Sequence, residues 1–65
     1  MNAEEKELAE NKIIYLTESI NRIKEAREIL AEVMDYEVTN IMGKLKDKVE
    51  EYEDEIREIK EENNF

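Results

Sequence analysis

The sequence predicts an all-α fold: an antiparallel helical hairpin, coiled-coil-like, that dimerises into a four-helix bundle. Three observations point there. First, the 65 residues contain no Pro and one Gly, and Glu, Lys, Ile, Leu, Ala and Arg dominate, a mixture that favours helix. Second, the apolar residues recur at alternating steps of four and three. One stripe runs Ala9, Ile13, Leu16, Ile20, Ile23, Arg27, Leu30, Met34, and a second runs Val38, Met42, Leu45, Val49, Tyr52, Ile56, Ile59. Steps of three and four mark one face of a helix. Third, the stripes mirror each other. Pairs such as Leu30 and Met42, or Ile20 and Tyr52, sum to 72, so a chain that folds back near Tyr36 puts them level, layer by layer.

The first helix is expected over about residues 3–35. Asn2 is a plausible N-cap, and Glu4, Glu5 and Glu7 complement the positive end of the helix dipole. The turn is expected over about 35–40, where Asp35, Val38, Thr39 and Asn40 gather. These are weaker helix formers than Ala or Leu. Asp35, Thr39 and Asn40 could each cap the second helix, expected over about 40–62, with Asn63, Asn64 and Phe65 frayed. The turn has no Gly-Asn or Pro signal at its centre, and Gly43 lies past the mirror axis. A single uninterrupted helix therefore fits the spacing almost as well. Taking Ile41 instead of Met42 as the core residue would give a long parallel two-stranded coiled coil. The hairpin is preferred because the weak helix formers gather where the heptad phase breaks. Either way, residues 1–65 read as a single domain.

The first helix carries another stripe: Leu8, Tyr15, Arg22, Ala26, Ile29, Val33 and Tyr36, on roughly the opposite side from the first. A helix apolar on two sides is buried from two sides. A lone two-helix hairpin also cannot bury much apolar surface. Tyr15, Ala26, Ile29, Val33 and Tyr36 are thus the expected self-association or partner face, with the first helix inside an assembly and the second outside. Lys44, Lys46 and Lys48 lie near the turn, whereas Glu58, Glu61 and Glu62 lie at the open end beside Glu4, Glu5 and Glu7. Two hairpins packed head to tail would bring the lysines of one to the acids of the other.

The formal net charge is −9. Residues 1–34 carry 8 acids and 5 bases, and residues 35–65 carry 11 acids and 5 bases. Such a surface repels nucleic-acid phosphates and anionic lipid, so neither direct nucleic-acid binding nor membrane binding is expected. There is no Cys and no His, which removes thiolate chemistry, disulfides and the commonest metal ligand and general base. Thr17, Ser19 and Thr39 lack a base to activate a hydroxyl, and a lone Gly43 makes no phosphate-cradling loop. No enzyme activity, cofactor or metal is expected. An acidic start without a long apolar run is unlike a signal peptide, and a cytoplasmic location is expected.

Arg27 stands at a core position of the first stripe. Its stem would snorkel so that its head meets a nearby Glu; alternatively it sets register, as single polar core residues do in coiled coils. Glu50, Glu51, Glu53, Asp54, Glu55, Glu58, Glu61 and Glu62 form the densest charge run. The simple reading is a solvated helix face. The sharper one is an acidic partner face that imitates a phosphate backbone and occupies a basic groove.

The expected function is non-catalytic protein–protein interaction, as a small acidic regulator, inhibitor or assembly factor acting as a helical homodimer. One alternative is an acidic nucleic-acid mimic of the phage or mobile-element inhibitor type. Another is a purely structural parallel coiled-coil stalk.

Overall fold

The computed structural model describes residues 3–63. Within them the chain forms α1 (Ala3–Leu30) and α2 (Tyr36–Glu62), which pack against each other as an antiparallel hairpin. Its extents are 50 × 15 × 12 Å. A continuous helix of this chain would span about 90 Å at 1.5 Å per residue, so the single-helix alternative is not adopted. Asn2, Asn64 and Phe65, for which capping and fraying were expected, lie outside the described residues.

The reversal occurs at residues 31–35, earlier than the expected 35–40. Backbone geometry explains how it forms without Gly or Pro. Ala31 N donates to Arg27 O at 2.9 Å as the last helical bond. Glu32 N then donates to Ile29 O at 3.4 Å and Val33 N to Leu30 O at 2.9 Å. These tighter i→i+3 bonds satisfy carbonyls that a helix end leaves open.

Asp35, one of the three caps considered, starts α2. Its backbone is extended (φ −131°, ψ 137°). Its Oδ1 accepts from Glu37 N at 2.8 Å and Val38 N at 3.4 Å, the bonding expected of an N-cap. Thr39, Asn40 and Gly43 therefore lie inside α2, not in the turn. Thr39 Oγ1 donates to Asp35 O at 3.0 Å, so that hydroxyl is satisfied within the first turn. Weak propensity is overridden here because Val38, Met42 and Leu45 are half-buried in the seam with α1. At the other end Asn63, expected to fray, closes the helix: its backbone N and its side-chain Nδ2 both donate to Ile59 O, at 3.1 and 2.8 Å.

The core follows the two mirrored stripes. Leu16, Ile20, Val49 and Ile59 are buried, and the other stripe residues are half-buried apart from Met34. Met34 is fully exposed (100%) because α1 ends before it. Cross-helix neighbours agree with the mirror to within about a turn: Ile13 shares a recess with Lys60, Ile20 with Ile56, and Arg27 with Met42. None of the buried core side chains falls below 2% exposure. Two helices enclose only a thin seam, as their small size dictates.

Candidate interaction face

The second apolar stripe of α1 remains uncovered in the hairpin. Leu8, Tyr15 and Ile29 lie along the helix, with Tyr15 and Ile29 each 67% exposed. Arg22 between them is exposed, and Ala26 is half-buried beside the seam. Val33 and Tyr36 do not continue the stripe on α1. Val33 sits in the turn and Tyr36 opens α2, where it is 83% exposed. At 100° per residue the stripe is centred about 115° from the core face, so it runs along a flank of the hairpin and not along its back.

Several residues of this flank lie outside the stripe as read from the sequence. Lys12 and Ser19 complete its alternating spacing between Leu8, Tyr15 and Arg22. Lys12 Nζ reaches Glu55 Oε1 of α2 at 3.4 Å. Ile41 adds an exposed apolar side chain from α2. The signal that would have found them is spacing alone, counted without regard to polarity. Ile14 is also exposed, but beside Glu10, Ile13 and Lys60 on the other flank.

The acidic run on α2 is not a uniform bare surface. Glu50, Glu53, Glu58, Glu61 and Glu62 are exposed, whereas Glu55 is half-buried and held by Lys12. Glu51 lies 3.4 Å from Lys48 and Asp54 lies 3.1 Å from Arg57. Lys48 also sits 5.3 Å from the ring centroid of Tyr52, within cation–π range. Among the described residues no three acidic side chains converge on a common point.

Arg27 departs from expectation in one respect. Its guanidinium makes no ion pair among the described residues, and its Nε is buried without a hydrogen-bond partner. The stem lies along the seam in a recess with Met42, Ala31 and Glu28, so the aliphatic part is packed while one donor is left unmet.

No helix among the described residues is long and apolar enough to cross a membrane. No family model, curated protein or solved structure matches the chain.

Proposed function

We propose that this chain is a non-catalytic protein–protein interaction module, a small acidic regulator, inhibitor or assembly factor that works in the cytoplasm as a helical homodimer forming a four-helix bundle. The observation that carries this reading is the exposed line Leu8, Tyr15 and Ile29 on a hairpin whose own core is thin. These side chains share one face of α1, interrupted by exposed Arg22, and Tyr is a frequent anchor in association surfaces. Self-association supplies the burial that a two-helix chain lacks. The absence of Cys and His from the sequence supports a role without catalysis.

Sedimentation equilibrium tests the reading. The expected mass is twice 7.8 kDa, and Ile29→Lys is expected to return the monomer while the helical signal persists. A wild-type monomer across the accessible concentration range would overturn the homodimer.

A second reading keeps the acidic run as the partner surface, with exposed Glu50, Glu53, Glu58 and Glu61 standing in for phosphates in a basic groove. Its binding would fall steeply as salt rises, whereas association anchored by Tyr15 and Ile29 would persist in high salt, where only the contribution of surface charge pairs is screened. Neutralising exposed Glu50, Glu53 and Glu61 separates the two: partner binding is lost in the mimic and kept in the apolar dock.

A further inference from the structure

We propose that the hairpin pairs with a second copy through one particular broad face, in antiparallel orientation, so that α1 lies on α1 and α2 on α2. This rests on the homodimer reading above and adds the face, the direction and the register.

The face is identified by one ion pair and two spacings. On α2, steps of three and four link Ile41, Lys44 and Lys48, then Glu51, Glu55, Glu58 and Glu62, which places them on one line of the helix. Glu55 on that line reaches Lys12 of α1. Lys12 stands four residues after Leu8 and three before Tyr15, so it belongs to the exposed stripe. The bridge therefore puts the α1 stripe and the α2 line on the same side of the hairpin. The other side carries Thr17, Asn21, Lys24, Glu53, Arg57 and Lys60, with exposed Ile14 toward the open end. One broad face thus carries Leu8, Tyr15 and Ile29 along α1, interrupted by Lys12, Ser19 and Arg22, and is divided by charge along α2, with lysines toward the turn and acids toward the open end.

Size and symmetry choose the occupant. The hairpin extends 50 Å by 15 Å, a footprint on the scale of a standard interface, which buries ~800 Å² per partner. A two-fold axis can lay this face on its own copy in two ways. With the axis along the hairpin, α1 falls on α2 of the other copy, which sets Leu8 and Tyr15 against Glu58 and Glu62. With the axis across the hairpin, each helix meets its own equivalent running the other way. Centred near Ser19 and Glu53, this second arrangement brings Leu8 over Ile29 of the other copy and Tyr15 over Arg22. The same operation brings Lys44 over Glu62 and Lys48 over Glu58. The crosswise axis also sets Glu51 over Glu55 of the other copy, two acids already paired with Lys48 and Lys12. It matches Leu8 with Ile29 and two lysines with two glutamates, whereas the lengthwise axis leaves Leu8 and Tyr15 against acids. Lys46, off the α2 line, takes no part.

The test uses the absence of cysteine, which makes any single-Cys variant cleanly labelled. Asn40 is exposed near the turn, about 13 residues from the proposed axis. Spin labels on Asn40→Cys are expected about 40 Å apart in the dimer at 1.5 Å per residue. A lengthwise axis would bring them within about 25 Å, given helix spacings of 8–10 Å. A dimer showing the short distance overturns the orientation and leaves the homodimer reading standing; a monomer by sedimentation overturns both. As an independent arm, Lys44→Glu with Lys48→Glu is expected to weaken dimerisation at least tenfold in low salt. Adding Glu58→Lys and Glu62→Lys to the same chain is expected to restore it. Unchanged affinity in the lysine variant overturns the α2 pairing.

Discussion

Lys12 and Glu55 meet at 3.4 Å across the two helices, with side chains 57% and 39% exposed. It is the cross-helix ion pair among the described residues; the other two join residues within α2. Its value is mostly geometric, because it marks the flank on which the α1 stripe and the α2 line come together. An exposed pair contributes about 0.2–1 kcal/mol. Lys12→Ala should therefore lower the urea midpoint only slightly, and a double-mutant cycle with Glu55→Ala should return a coupling in that range. The coupling should shrink in high salt, as screening requires.

The start of α2 depends on Asp35. Its carboxylate accepts from Glu37 N and Val38 N, and Asp35→Ala leaves both amides without that partner. Loss of an N-cap costs about 1 kcal/mol. Thermal or urea unfolding followed by circular dichroism should show that loss, whereas Asp35→Asn or Asp35→Ser should stay close to the parent.

Gly43 lies within α2, and a Cβ built there would meet nothing within 4 Å. Gly43→Ala should accordingly stabilise the hairpin by about 1 kcal/mol, the difference in helix propensity between the two residues. A higher urea midpoint checks this. Destabilisation would mean that the position lies in the turn after all.

Arg27 is the one described residue with a buried side-chain polar atom lacking a partner. Leaving such a donor unmet costs about 1–3 kcal/mol. Arg27→Leu should raise the melting temperature. If Arg27 also fixes register, the variant should show mixed oligomeric states by sedimentation, since single polar core positions specify register at a cost in stability. A more stable variant that stays a single species would remove the register role.

Periodicity carried a great deal of the fold. Helix geometry is local and repeats every 3.6 residues, so spacing alone placed nearly all of both mirrored stripes in the seam and set Leu8, Tyr15 and Ile29 on a separate exposed line of α1, while Val33 and Tyr36 fall beyond that helix. The turn was less legible. Its closure uses backbone i→i+3 bonds from Glu32 and Val33, which almost any side chain permits, so no residue type announces it. Asp35 could be seen as a possible cap, yet nothing local ranked it above Thr39 or Asn40. Their weak propensity is outweighed by the packing of Val38 and Met42 against α1.

The sequence by itself determined two helices, their apolar faces and the surplus stripe on α1, because each depends on the order of residues along one helix. Tertiary structure alone decided which flank of α2 accompanies that stripe. Antiparallel packing fixes how one helix is rotated relative to the other, and this rotation brings Glu55 to Lys12 and leaves Thr17 and Arg57 on the opposite side.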